Sequence, residues 1–135
     1  MPGLLKFLTA HALAAIVLLV VSVVPHHSFV IDGRHVSYSE WWSSGAGPLA
    51  SLLGILLPIS GYLFLTRHRN ARVIYLTAAS VALICPYVAH GHLLSAVLGA
   101  FMVAFGAWYL YRRPTVVTYF ASNNRFERSR GPGLR

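Results

Sequence analysis

Seven histidines stand in a chain of 135 residues, and imidazole is the commonest metal ligand among side chains. His26-His27 closes one long apolar run, and His90-Gly91-His92 divides another. Both groups therefore emerge at the ends of apolar segments. Three neutral imidazoles drawn from His26, His27, His90 and His92 would suit zinc or copper. The spacing offers no H-x-x-x-H helical face, and histidine is equally at home in an interfacial loop, so the loop reading is the plainer one. His11 is different, because it lies well inside an apolar run. Ala10, Ala14 and Ala15 share its helical side, which predicts that it turns inward. Tyr62, Tyr75 and Thr77 lie at similar depth as hydrogen-bond partners. An ionisable group at that depth raises the idea of a proton relay. Nothing else in the sequence builds one, so a neutral, hydrogen-bonded imidazole is expected. Cys85, the single cysteine, is expected to be a small buried hydrophobe.

The three acids are Asp32, Glu40 and Glu127. Asp32 is accounted for by an Asp-Gly turn and Glu40 by a helix cap. No Asp or Glu lies within an apolar run, where a proton-coupled carrier would need one. Gly-rich phosphate loops, CxxC, HExxH and GxSxG are all absent. The expectation is a chain that is not an enzyme and carries no cofactor.

Composition says where these residues must sit. Hydrophobic residues make up 56% and charged residues 10%, against roughly a quarter charged in a soluble domain. A bilayer core needs about 20 apolar residues per helix. Four stretches meet that need, at about 4–24, 48–66, 71–88 and 93–111. The last two form a hairpin about the turn Ala89–His92. Backbone groups in hydrocarbon must be satisfied within the segment, and no strand-like alternation appears. These readings predict an all-α four-helix bundle in one domain, 1–120.

The basic residues set the orientation. Lys6, Arg67, Arg69, Arg72, Arg112, Arg113, Arg125, Arg128, Arg130 and Arg135 fall on one side of a four-span chain, and Arg34 alone on the other. Basic residues remain cytoplasmic, so both termini are predicted inside. The net charge of +8 (11 − 3) is then topogenic, with anionic lipid as its partner and no nucleic acid. The first apolar run exceeds a typical signal-peptide core and ends in Val-Val-Pro-His-His, so it is read as an uncleaved anchor.

Small residues mark where helices touch in lipid. Ala96, Gly99, Ala100, Val103, Ala104 and Ala107 line one side of span four, and Ala50, Gly54, Pro58 and Gly61 line span two. Packing within one bundle is expected, with self-association as the alternative. Pro58 is expected to kink span two. In the loop 26–47, Asp32-Gly33 between short apolar runs predicts a hairpin, and Ser37-x-x-Glu40 predicts a capped interfacial helix carrying Trp41 and Trp42. Val116, Val117, Tyr119 and Phe120 are expected among headgroups, and 121–135 is expected to be a basic, disordered tail.

The stretch Trp108-Tyr109-Leu110-Tyr111-Arg112-Arg113-Pro114-Thr115-Val116-Val117-Thr118-Tyr119-Phe120, an aromatic-basic close followed by Val-x-x-Tyr-Phe, resembles the ending of small four-span bacterial inner-membrane proteins of uncharacterised role. The resemblance implies a bacterial inner membrane and no particular activity. The functional expectation is an accessory protein to another membrane component, with a periplasm-facing metal-binding or solute-handling protein as the alternative.

Overall fold

The computed structural model describes residues 1–31 and 33–129, from 122 onward by backbone only. Four helical segments are long and apolar enough to cross a membrane: Gly3–Val23, Ala46–Leu65, Ala71–Ala89 and Leu93–Arg112. The first is α1 (Gly3–Ala14) and α2 (Ile16–Val23), joined through a turn at Ala15. A two-stranded hairpin, β1 (Val30–Ile31) and β2 (Arg34–His35), and the short α3 (Tyr38–Ser43) lead into α4 (Ala46–Leu65). The third segment is α5 (Ala71–Leu83) and α6 (Cys85–Ala89); the fourth is α7 (Leu93–Arg112), and α8 (Pro114–Ser129) follows it.

Neighbours in the chain are neighbours in space. The α1–α2 segment packs along α4, α4 along α5, and α5 along α7. On the first segment Leu5, Thr9, Ala12, Ala15 and Ser22 are buried, a three-to-four residue rhythm that turns one stripe inward. Leu53, Leu57, Ser60 and Phe64 are the corresponding stripe of α4.

Two glycines on α4 let the first two segments touch. A Cβ on Gly54 would lie 2.4 Å from the Leu19 nitrogen and 2.8 Å from its Cβ, and one on Gly61 would lie 3.0 Å from Leu13 Cγ. Gly99 of α7 does the same against α5, where a Cβ would fall 2.0 Å from the Leu83 carbonyl oxygen. The small residues thus serve contacts inside the fold. Both halves of α4 are held against the first segment, and α4 remains one helix through Pro58. A span is broken instead at Ile84 (φ −119, ψ −53), two residues before Pro86. Proline lacks an N–H and crowds the carbonyl four residues back, here that of Ala82.

The ends of these helices are built by local chemistry. The Ser37 hydroxyl accepts from the Glu40 backbone N–H at 3.2 Å and starts α3. Val30 pairs with His35 and Ile31 with Arg34 across the hairpin, with Gly33 at φ +77. The Arg34 guanidinium joins Glu40 at 2.6 Å and so ties the hairpin to α3. At the other end, α4 stops in a Schellman motif: His68 N–H donates to Leu63 O and Arg67 N–H to Phe64 O. Arg67 takes the left-handed position usually given to glycine, at φ +57.

The last helix differs most from expectation. α8 continues to Ser129, into the stretch 121–135 expected as a basic tail; 130–135 lie outside the described residues. Val116 and Phe120 are buried rather than set among headgroups, with Phe120 against Phe64 at 6.1 Å between ring centres.

Two substitutions separate close approach from open space. Gly54→Ala should lower stability by about 1–3 kcal/mol, since the Leu19 backbone cannot swing aside. Gly106→Ala should be neutral or slightly stabilising, because its nearest neighbour, Leu76 Cδ2, would be 3.6 Å away. Thermal unfolding of the two variants in detergent measures both. A third test reads Arg67. Arg67→Gly should be more stable than Arg67→Ala by about 1–2 kcal/mol, because both lose the side chain and only glycine is at ease at that φ.

Candidate functional site

At the hairpin end, polar groups converge on one hydroxyl. Ser22 is almost fully buried. Its Oγ donates to the Gly47 carbonyl at 2.9 Å, lies 3.2 Å from Ser51 Oγ, and accepts from Trp41 Nε1 at 3.1 Å. One serine so links the first segment, α3 and α4. A Cβ at Gly47 would sit 2.9 Å from Trp41, so the indole is clamped in place. Beside it Phe29 is 3% exposed, stacked by His26 at 4.0 Å and Trp41 at 5.1 Å, with Tyr38 at 5.8 Å. The Tyr38 hydroxyl donates to Val23 O at 3.1 Å. The loop is a small aromatic core laid over the helix ends.

His26 belongs to this core. Its Nδ1 accepts from the Ser28 N–H at 3.0 Å, and its Nε2 lies 3.0 Å from Val21 O. A carbonyl only accepts, so Nε2 carries the proton and both ring nitrogens are committed. His27, His90 and His92 are exposed. Among the described residues no three His, Cys, Asp or Glu side chains come together. The four histidines are not gathered here, and His26, whose ring is hydrogen-bonded at both nitrogens, has a structural task.

The polar groups expected at mid-depth are also dispersed. His11 is exposed and stacks at 6.4 Å on Phe7, with no hydrogen bond to its ring among the described residues. The inward stripe of α1 is Leu5, Thr9 and Ala12, so its neighbours Ala10, His11 and Ala14 turn outward. Tyr62 and Thr77 are exposed, while Tyr75 is buried against Phe64 at 5.4 Å. The expected constellation of His11, Tyr62, Tyr75 and Thr77 is not formed. Cys85 is exposed as well, against the expectation of burial.

At the opposite end the basic residues meet aromatic rings. Arg67 lies 4.7 Å from the centre of the Tyr119 ring, and the Tyr119 hydroxyl donates to Phe64 O at 3.1 Å. Arg72 lies 4.5 Å from Phe120 and 5.0 Å from Tyr111. Its Nη1 donates to Leu110 O at 3.3 Å. That carbonyl is one of the last four of α7, which have no partner within the helix and carry its negative dipole end. Cation–π contact adds about 0.5–2 kcal/mol per pair, more as water is excluded. Arg67 and Arg72 are thus the studs that fasten α8 beneath α4 and α7. The sequence signal for this was the pairing of an arginine before α5 and one in its first turn with two adjacent aromatics after Pro114.

The same end is open on one side. The start of α1, the end of α7 and the start of α8 border a cleft of about 1050 Å³, lined among others by Leu4, Trp108, Arg113, Thr115 and Thr118. It shares Leu4, Phe105 and Tyr109 with a narrower crevice of about 280 Å³ between α1, α5 and α7. Sequence reading offered no hint of it, because it arises from two segments failing to meet. Comparison with protein families, curated proteins and solved structures finds no match to this chain.

The two adjacent histidines should behave differently. His26→Ala removes two hydrogen bonds and a ring from Phe29, so amide exchange across Phe29–Val36 should accelerate at least tenfold, as the loss of about 1.4 kcal/mol or more would give. His27→Ala should leave those amides unchanged. Hydrogen-exchange mass spectrometry on both variants decides it.

Proposed function

We propose that this chain is a four-span protein of a bacterial inner membrane, with both termini in the cytoplasm, that acts without catalysis as an accessory to another membrane protein. Support for the orientation comes from the gathering of basic residues. Arg67 and Arg72 contact α8, and Arg113 borders the same cleft as the first residues of α1. Lys6, the α4–α5 turn and the end of α7 therefore share one end of the molecule, with Arg34 at the other. That asymmetry is the pattern that holds such an end in the cytoplasm.

The observation that carries the accessory role is the outward side of α7. This helix packs on α5 and leaves Leu94, Val97 and Leu98 63–85% exposed. Ala100 and Ala104 also face outward, one turn apart, as in small-residue contacts between membrane helices. Ala96 and Gly99 are used within the fold, whereas these two alanines are free for a neighbouring helix. With no assembled catalytic group and no gathered ligand set among the described residues, this surface is the better candidate for the protein's work.

Orientation is checked by cysteine labelling in a Cys85→Ala background. Ser44→Cys should react with an impermeant maleimide from the periplasmic side, and Asn70→Cys only after the membrane is opened. The reverse pattern at either position refutes the orientation. Ala100→Cys and Ala104→Cys, crosslinked in native membranes, should each give the same heteromeric adduct, and Val73→Cys, an outward residue of α5, should give none. Adducts spread equally over all three positions would refute the α7 assignment.

A further inference from the structure

The cleft and crevice together have the outline of an amphiphile. At the mouth are Arg113, Trp108, Thr115 and Thr118. Further in, the lining becomes Leu8, Leu76, Leu83, Phe101 and Met102. Among the described residues Arg113 makes no side-chain hydrogen bond or ion pair, and none of those bordering either space is an acid. The far end is shut where Gly99 and the Leu83 carbonyl bring α7 and α5 into backbone contact.

Dimensions select the occupant. From Arg113 to Phe101 is twelve residues of α7, about 18 Å of helix, close to the roughly 15 Å half-thickness of a bilayer core. From Tyr75 to Leu83 the crevice follows eight residues of α5, about 12 Å. Over that length the crevice holds about 280 Å³ and is lined by apolar side chains of α1, α5 and α7, a shape and chemistry that suit a single hydrocarbon chain.

We propose that the groove is a binding site for one anionic phospholipid, with its phosphate at Arg113 and one acyl chain lying between α1, α5 and α7 as far as Leu83. Arg113 supplies the charge, and its planar donors suit phosphate oxygens. Trp108 stands at headgroup level, where amphipathic rings settle. The inference rests on the membrane placement proposed above, which puts this site in the cytoplasmic leaflet. It is separate from the α7 surface offered to a protein, because the groove lies on the side of α7 that faces α1 and α5.

The test uses the full chain in mild detergent, given equal amounts of phosphatidylglycerol and phosphatidylcholine with the same acyl chains, and native mass spectrometry. One phosphatidylglycerol should remain bound per chain, preferred about fivefold over phosphatidylcholine, the ratio one surface cation provides. Arg113→Gln should erase that preference; the side chain is exposed and uncontacted, so the fold should survive. Gly106→Leu should fill the crevice and lose the bound lipid, while Gly106→Ala keeps it. The proposal is overturned by a wild type that retains no lipid, by equal retention of the two lipids, by Arg113→Gln binding like wild type, or by a second copy of the chain bound in place of lipid. Purified protein has no leaflets and no partner. A failure here leaves the orientation and the accessory role standing, and a reversed orientation would leave this binding unchanged.

Discussion

A polar group within an apolar helix has two ways to be satisfied, its own backbone or a neighbour, because the surroundings offer no water. Three hydroxyls within the spans take the first. Thr9 donates to Leu5 O, Ser60 to Leu57 O and Ser80 to Leu76 O. Such bonds cost nothing in tertiary structure and fix nothing either. Ser22 takes the second way, and the fold at the hairpin end depends on it. The hydroxyl is buried where α2 and α4 converge and engages Gly47 O, Ser51 and the Trp41 indole. Once Trp41 is held, Phe29 has a wall to stack on, and His26 closes the other side. A segment of about twenty residues outside the spans thereby acquires a core of its own without strands long enough to make a sheet.

The opposite end solves a different problem. Helix C-termini leave carbonyls unpaired, and the arginines that direct insertion have to be kept near the surface. Arg72 serves both needs, by donating to Leu110 O and lying over two rings. Arg67 accepts an unfavourable backbone angle at the end of α4 and still reaches Tyr119. A basic residue at this end is therefore also a fastening. That dual use explains why α8 folds back under the helices instead of extending from them, and why Val116 and Phe120 leave the surface.

The four apolar helices, the hairpin at Asp32-Gly33 and the capped α3 were legible because each depends on local signals: run length, a turn dipeptide, a serine three residues before a glutamate. The candidate sites were legible far less well. His11 was placed inward on the strength of neighbouring alanines, yet Leu5, Thr9 and Ala12 form the stripe that packs. Small size marks a residue that can sit at a contact, and it does not say which of several small stripes is used. His26 offered itself as a ligand because sequence shows a side-chain type, whereas its two nitrogens are consumed by Val21 and Ser28. Pro58 and Pro86 look alike in sequence, yet α4 runs unbroken through the first and the third span divides just before the second.

The order of packing makes the remaining seam intelligible. α4 touches the first segment and α5, so it is covered on two sides and carries the longest buried stripe. α7 is held by α5 along its length and by α8 at its foot, and its first turn enters from Gly91 without a side-chain cap. Nothing inside the chain draws α7 toward α1: Phe105, Trp108 and Tyr109 on one side and Leu4 on the other border a gap rather than interlock. In water such a gap would close, since burying apolar surface would reward it. In hydrocarbon that reward is absent, because lipid covers the same surface equally well. A seam between the first and last spans is therefore stable as it stands. Its polar mouth and apolar depth follow from where the chain turns at Arg113-Pro114, between the end of α7 and the start of α8.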